Sequence, residues 1–274
     1  MDIWQAIVLG IIEGFTEFLP ISSTGHLTIA EKLMGLPIND ESVTAFTAVI
    51  QVGAILAVIV YFFKDFVRLS RAWGKGLVNA EARKNYDYRF AWYVIAGSIP
   101  IGIVGFLGQD IIKGPLRSMW FVAGSLIVWS GVMAFAEFAA TQTRNERQLT
   151  LKDTLLIGLA QCLALIPGVS RSGATITMGL LRDLDRVTAT RLAFFLGVPA
   201  LVAAGIYELP DALDKISIDI LIIGNVVSFI VAYASIAWLL RFVAHHTMMA
   251  FVWYRVVLGG LIIVLLATGT ISAT

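Results

Sequence analysis

The chain has 274 residues, of which 58% are hydrophobic and only 14% charged. A soluble domain of this length would carry about a quarter charged residues, so the composition excludes an ordinary soluble protein. Several apolar runs reach the roughly 20 residues that cross about 30 Å of hydrocarbon. We therefore predict an all-α polytopic membrane protein, folded as a single domain over residues 1–274. Its net charge of +1 gives no indication of a nucleic-acid partner.

The first predicted element is an apolar helix over residues 3–20, which Pro20 and the polar residues after it interrupt. A second short helix is predicted from about residue 24 to 34, with Ser22, Ser23 or Thr24 as its N-cap. Each half is too short for a membrane span. We expect the pair to form a re-entrant helical hairpin, which is tolerated only where it lines a cavity or is buried in protein.

Six full transmembrane helices are predicted, and a second re-entrant hairpin interrupts them at about residues 153–166 and 172–181. The six spans cover residues 45–63, 90–108, 119–139, 189–209, 218–240 and 249–268. Between the first two spans, one helical face collects the basic side chains of Lys64, Arg68, Arg71 and Lys75. This pattern favours an amphipathic helix on an anionic membrane surface, with a solvated loop as the alternative.

The distribution of lysine and arginine predicts the orientation of the chain. Basic residues concentrate in the segments 64–89, 140–152, 182–191 and 241–249. Such segments lie on the cytoplasmic side of most membrane proteins. Both termini are then predicted to be external, and the two hairpins enter from opposite faces.

The two broken elements align with each other when the chain is shifted by 148 residues, without a gap. The aligned pairs include Gly10 and Gly158, Glu13 and Gln161, Ser22 and Ser170, and Gly25 and Gly173. Three full spans separate the hairpins, so the second copy must be inverted. We predict an inverted-topology repeat, with copies at about 1–139 and 150–274 and a site at their interface. The alternative is a chance similarity between two glycine- and serine-rich breaks.

Two carboxylates precede the first break. Glu13 and Glu17 are four residues apart and share one face of the helix. Such close carboxylates repel each other unless a cation or a proton lies between them. We predict a divalent-cation site, Mg²⁺ or another such as Ca²⁺, completed by water and phosphate oxygens. The alternative is a pair of protonated or hydrogen-bonded structural glutamates.

A hydroxyl cluster follows each break and precedes a short helix. The start of a helix offers unpaired N–H groups and a positive dipole, which suit a phosphate group. Simple helix capping is the alternative. Arg171 could bind phosphate oxygens with its guanidinium group, or form an ion pair with Glu13 or Glu17. The predicted substrate-binding residues are Ser22, Thr24, Gly25, Ser170, Ser172, Gly173 and Thr175.

His26 follows the first hydroxyl cluster and could move a proton to or from a serine, a water or a leaving group. The alternative is a hydrogen-bonded packing residue. Gln51 and Asn225 lie within spans, where an interhelical hydrogen bond is expected. Arg255 lies near Trp253 and Tyr254, and we expect it to extend to the membrane interface.

The two polar stretches identify a family. Residues 13–26, Glu-Gly-Phe-Thr-Glu-Phe-Leu-Pro-Ile-Ser-Ser-Thr-Gly-His, and residues 167–175, Pro-Gly-Val-Ser-Arg-Ser-Gly-Ala-Thr, resemble the two motifs of the undecaprenyl-diphosphatase family, the bacitracin-resistance phosphatases. The resemblance implies hydrolysis of undecaprenyl diphosphate to the monophosphate and inorganic phosphate. This reaction recycles the lipid carrier of cell-wall synthesis in the bacterial plasma membrane and gives bacitracin tolerance.

The same resemblance implies a divalent-metal requirement and assigns residue roles. Glu13 and Glu17 would be metal ligands or acid–base groups, and Ser23 the nucleophile. His26 would be the proton-transfer partner of Ser23, and Arg171 the phosphate clamp. The implied partners are a polyprenyl diphosphate and membrane lipids, and a homodimer is compatible with the sequence. The rival function is a polyprenyl-phosphate flippase or an ion-coupled transporter that uses the same pocket.

Overall fold

The computed structural model describes residues 1–37, 40–108 and 118–272, and across these ranges it contains eleven α-helices and no β-strand. The all-α prediction is confirmed. Most of the connection between the predicted spans 90–108 and 119–139 lies outside the described residues. The helices are α1 (Ile3–Thr16), α2 (Ser23–Leu33), α3 (Glu41–Tyr61), α4 (Phe63–Val78), α5 (Tyr86–Leu107), α6 (Met119–Ala139), α7 (Leu151–Cys162), α8 (Arg171–Leu181), α9 (Arg186–Lys215), α10 (Ile218–His245) and α11 (Met249–Ala267).

Six of these helices are long and apolar enough to cross a membrane, which confirms the predicted number of spans. They are α3, α5, α6, α9, α10 and α11. The largest difference from the predicted bounds is in α9, which continues to Lys215 with Pro199 and Pro210 inside it. Proline is tolerated within such helices because neighbouring groups satisfy the freed backbone carbonyl.

The first break has an unusual backbone geometry at its last residue. α1 ends at Thr16, and α2 begins after Ser22, which has a φ of 76°. The Ser22 hydroxyl accepts a hydrogen bond of 3.3 Å from the backbone N–H of Gly25. A positive φ is rare for a residue with a side chain, so the surrounding structure must hold this conformation in place.

The second break repeats this geometry. α7 ends at Cys162, a 3-10 helix covers Leu163–Leu165, and α8 begins after Ser170 with a φ of 77°. The Ser170 hydroxyl accepts from the N–H of Gly173 at 3.1 Å. The shared cap is what an internal repeat would produce. The inverted repeat, its two copies and the re-entrant course of the hairpins stay predictions.

The two short helices before the breaks each pack closely against a long helix of the other half. A Cβ added to Gly10 of α1 would lie 2.7 Å from the carbonyl oxygen of Gly224 in α10. A Cβ added to Gly158 of α7 would overlap the carbonyl group of Gly97 in α5. Small residues allow helices to approach in this way when lipid supplies no hydrophobic driving force. The aligned residues Gly10 and Gly158 thus have the same packing role.

Aromatic rings hold the first break against α9. Phe18 is buried and packs edge-on against Phe194, with ring centroids 5.4 Å apart. Phe62 and Phe90 pack around the neighbouring Phe195. Since such ring pairs add to the burial of large apolar surfaces, the cluster fixes α9 beside the residues that follow Glu17.

Ion pairs join the segments that are predicted to be cytoplasmic. Buried Asp153 accepts from Arg144 at 2.6 Å and from Arg182 at 2.8 Å. Asp183 lies in the turn that follows α8, where hydrogen bonds from the backbone and the hydroxyl of Thr141 lower the pKa of its carboxyl group. The predicted basic helix is confirmed as α4, while its position on an anionic leaflet stays a prediction.

We predict that Gly158→Ala lowers the free energy of unfolding by about 1–3 kcal/mol, because the new methyl group overlaps a backbone carbonyl that cannot move alone. Gly131→Ala in α6 is the matched control, since a Cβ there meets no atom of the described residues within 4 Å. Denaturant unfolding of the detergent-solubilised variants measures both. Equal stability of the two variants would contradict the close α5–α7 contact.

Candidate active site

The two helix breaks contact each other directly although they lie about 150 residues apart in the sequence. The backbone N–H of Gly168 donates a hydrogen bond of 3.2 Å to the Ser22 hydroxyl. In the other direction, the Ser172 hydroxyl donates to the carbonyl oxygen of Leu19 at 2.9 Å. Both contacts are buried, so each break satisfies polar groups of the other.

An ion pair between the motifs forms the centre of the site. Arg171 donates from Nη2 and Nε to Oε1 of Glu17, at 3.1 Å and 3.3 Å. The side chains are only 9% and 5% exposed, so both charges are largely buried. Nη1 of Arg171 donates to the carbonyl oxygen of Ala193 at 3.1 Å. The guanidinium fits against α9 because residue 197 is glycine, where a Cβ would overlap Nη1.

Ser23 uses the other oxygen of the same carboxylate. Its hydroxyl donates a hydrogen bond of 2.6 Å to Oε2 of Glu17. His26, which the sequence analysis predicts as the proton-transfer partner of Ser23, makes other contacts, and its role stays a prediction. One carboxylate thus contacts both the candidate nucleophile and the candidate phosphate-binding group.

His26 is held by two other groups. Its Nδ1 lies 2.7 Å from the carbonyl oxygen of Ser22, and its Nε2 lies 2.7 Å from the hydroxyl of Tyr254. A carbonyl oxygen can only accept, so Nδ1 carries a proton. In the neutral ring, Nε2 then accepts from Tyr254. The predicted proton-transfer role of His26 stays a prediction.

Glu13 is buried completely, and neither of its carboxylate oxygens has a hydrogen-bond partner among the residues that the structure describes. Its aligned residue Gln161 is equally buried, and its two side-chain polar atoms likewise have no partner there. Such orphaned oxygens are costly in an apolar interior. They suit a hard cation that prefers oxygen ligands.

Within the described ranges, no three His, Cys, Asp or Glu side chains converge as a ready-made metal site. A cation held by Glu13 and Glu17 stays a prediction, and it would take the remainder of its oxygen ligands from phosphate and water.

The other predicted binding residues divide into two groups. Ser22, Thr24 and Ser170 line the cavity described below. The remaining four have contacts within the protein. The hydroxyl of Ser172 lies 3.1 Å from that of Ser170, and the hydroxyl of Thr175 donates to the carbonyl of Arg171 at 2.8 Å. The N–H groups of Gly25 and Gly173 donate to the two capping serines.

A cavity of about 450 Å³ opens at the ion pair. One end is polar and carries Glu17, Ser23, Arg171 and Gln51, a residue for which we had expected an interhelical hydrogen bond. The other end is mainly apolar and comes largely from α5 and α9, although Tyr207 and Glu208 of α9 also line the cavity. Its apolar lining includes Ile101 and Phe106 of α5, Leu201 and Ala204 of α9, and Leu165 of the 3-10 helix. The shape suits an amphiphile with an anionic head.

Asn225 makes the interhelical hydrogen bond that the sequence analysis predicts. Its side-chain oxygen on α10 accepts from the N–H of Gly53 on α3.

Arg255 corrects a sequence prediction. It does not extend to the membrane interface but is 0% exposed. Its guanidinium donates to the carbonyl oxygens of Pro20, Gly168 and Leu126 and to the Ser130 hydroxyl. The prediction was wrong because adjacent aromatic residues suggested an interface, whereas the freed carbonyls of the two breaks provide internal partners. A lone arginine within an apolar span was the signal for such a role.

Comparison with known proteins decides the family. Residues 6–261 match the family model described as bacitracin resistance protein BacA. The chain belongs to the BacA family. Among its BacA relatives, undecaprenyl-diphosphatase 1 of Streptomyces avermitilis is 57% identical, with 99% of each chain covered. Undecaprenyl-diphosphatase 3 of Frankia casuarinae is 55% identical and undecaprenyl-diphosphatase of Mycobacterium ulcerans 46% identical, each over 100% of both chains.

We predict that ¹⁵N NMR of histidine-labelled protein at neutral pH will show His26 as a single tautomer, protonated at Nδ1 and hydrogen-bonded at Nε2. Tyr254→Phe should shift the Nε2 resonance and leave Nδ1 nearly unchanged, because only the Nε2 partner is lost. The Nε2 signals of His245 and His246 serve as controls, and His26→Gln identifies the signals of His26. A proton on Nε2 of the neutral ring would contradict this arrangement.

Proposed function

We propose that this chain hydrolyses undecaprenyl diphosphate to undecaprenyl phosphate and inorganic phosphate. The observation that carries the proposal is the cavity, which joins a polar end with a buried arginine to an apolar wall. A prenyl diphosphate has the same division between an anionic head and a hydrocarbon tail. The family and the names of the relatives support this substrate.

The diphosphate lies at the polar end of the cavity. Arg171 can exchange its bonds to Glu17 for bonds to phosphate oxygens, because a guanidinium forks onto either anion. The starts of α2 and α8 add the positive ends of two helix dipoles beside Ser22 and Ser170. The first prenyl units of the tail run along the apolar wall formed by α5 and α9.

The chemical step transfers the terminal phosphoryl group. The oxygen of Ser23, or of a water in its place, attacks the terminal phosphorus as the bond from phosphorus to the bridging oxygen breaks. Glu17 accepts the proton of the attacking hydroxyl through the hydrogen bond it already makes to Ser23. The leaving group is undecaprenyl phosphate. If Ser23 attacks, water then hydrolyses the phosphoserine and restores the hydroxyl.

Catalysis of this reaction depends mainly on position and charge. Arg171 stabilises the charge that develops on the transferred phosphoryl oxygens. Glu13 and Glu17 would hold a divalent cation, Mg²⁺ or Ca²⁺, which when bound supplies further positive charge to the diphosphate. In support, the two oxygens of Glu13 are buried and have no hydrogen-bond partner within the described part of the chain.

The site of action is the bacterial cell membrane, where the six spans hold the chain and the lipid carrier is found. The external position of the termini follows from the distribution of basic loops and stays a prediction. A homodimer stays a prediction as well. Release of the carrier from its diphosphate form accounts for the tolerance to bacitracin in the family description.

We predict that Glu17→Gln and Arg171→Gln each lower phosphate release from a short-chain prenyl diphosphate by at least about a hundredfold, since each removes charge from the reacting centre. Ser23→Ala separates the two attack routes: it abolishes release if Ser23 attacks, and it retains part of the activity if water does. The measurement is inorganic phosphate formed in detergent with and without Mg²⁺.

Arg241→Gln is the matched control for the arginine variant, because Arg241 is exposed near the end of α10, a helix that contributes no residue to the described cavity lining. Wild-type activity in both Glu17→Gln and Arg171→Gln would overturn the proposal. So would reconstituted wild-type protein that moves a polyprenyl phosphate across vesicles without releasing phosphate, the result expected of a flippase.

A second prediction tests the position of Arg171 without changing any charged residue. Gly197→Ala should lower kcat on the order of a hundredfold, because its Cβ displaces the guanidinium from α9. The side-chain end can move, so the variant should remain folded. Gly260→Ala, at a position with open space, should retain wild-type kcat. Equal kcat for the two variants would show that Arg171 does not act from the observed position.

A further inference from the structure

The guanidinium of Arg255 lies between the two helix breaks. Nη1 donates to the carbonyl oxygen of Pro20 at 3.1 Å, in the first break. Nη2 donates to the carbonyl oxygen of Gly168 at 2.8 Å, in the second. Nε donates to the hydroxyl of Ser130 on α6 at 3.1 Å. One side chain of α11 therefore connects both motifs to a third helix.

Among the described residues, every acceptor of this guanidinium is neutral and none belongs to a carboxylate. A fully buried charge without an ionic partner is expensive, so its position needs a structural reason. The breaks provide one. Where a helix is interrupted, carbonyl groups lose their partners along the helix, and these carbonyls are costly in an apolar interior.

The shape of the side chain fits this task. A guanidinium presents five N–H donors in a rigid plane, which allows it to reach carbonyls in several directions. The ammonium group of lysine has three donors on one atom and cannot span the same acceptors. Only an arginine at this position can bridge Pro20, Gly168 and Ser130 simultaneously.

Both backbone polar groups of Gly168, the N–H and the carbonyl, form hydrogen bonds with other segments. Its N–H donates to Ser22 and its carbonyl accepts from Arg255. Its φ is 99°, and an added Cβ would lie 2.5 Å from the carbonyl oxygen of Val122 in α6. The backbone of the second break is thus fixed against both the first break and α6, only a few residues before Arg171.

We propose that Arg255 is a positioning residue for phosphoryl transfer, which holds the two breaks in register so that Ser23, Glu17 and Arg171 share one reacting geometry. This inference rests on the proposed function. Arg255 does not line the cavity, so it acts through the backbone of the breaks and not through contact with the substrate. Loss of register by about 1 Å can lower a rate on the order of a hundredfold.

The test compares kcat and KM for a short-chain prenyl diphosphate in wild type, Arg255→Gln, Arg255→Lys and the control Arg241→Gln. Thermal unfolding and size-exclusion profiles give the folded fraction of each variant. We expect kcat per folded protein to fall on the order of a hundredfold in Arg255→Gln, with KM within about threefold of wild type. Arg255→Lys should recover part of the kcat, since one ammonium group can still reach one or two of the carbonyls.

An Arg255→Gln variant with wild-type kcat, or with raised KM and unchanged kcat, would overturn the positioning role. If both Arg255 variants fail to fold, Ser130→Ala decides: lowered kcat at unchanged KM supports the role, and wild-type kcat overturns it. Absence of phosphate release by wild type would instead refute the proposed function. Active wild type and Arg241→Gln controls therefore separate the two failures.

Discussion

The structure depends on the pairing of polar groups in an interior where water is scarce. Glu17 and Arg171 come from opposite halves of the chain, and each would be a costly buried charge without the other. Their pairing requires the two breaks to converge. Ser22, Ser172 and Arg255 then satisfy the backbone groups that the breaks expose. The site is therefore also the region in which the two halves depend on each other.

The surrounding helices explain why such a site can exist in an apolar fold. The glycines at positions 10 and 158 let α1 and α7 pack against helix backbones, which places both breaks deep in the protein. Aromatic packing between Phe18 and Phe194 brings α9 next to the first break. α9 then supplies both the carbonyl that binds Arg171 and part of the apolar wall. Adjacent surfaces of one cavity can thus bind the anionic head and the hydrocarbon tail of a prenyl diphosphate.

The sequence predicted the spans well, because a long apolar run indicates a membrane-spanning helix. It also predicted the two motifs well, because clustered polar residues between apolar stretches are unusual. It also left open an ion pair between Arg171 and Glu17, which the structure contains. It failed where a contact depends on distant partners. Periodicity could not show that His26 is held by Tyr254 or that Arg255 points inward, because these contacts depend on how α11 packs against the breaks. It also could not show that Ser23 donates to Glu17, because this bond depends on the irregular backbone of the first break.

A double-mutant cycle on Glu17 and Arg171 tests the convergence of the two halves most directly. The free energy of unfolding is measured in detergent for wild type, Glu17→Gln, Arg171→Met and the double variant. Each single variant should be destabilised by about 3–5 kcal/mol because it leaves one buried charge unpaired. The double variant should be more stable than the sum of the two effects predicts, with a coupling energy above about 1 kcal/mol. Additivity within about 0.5 kcal/mol would show that the two side chains do not interact, and it would contradict the account.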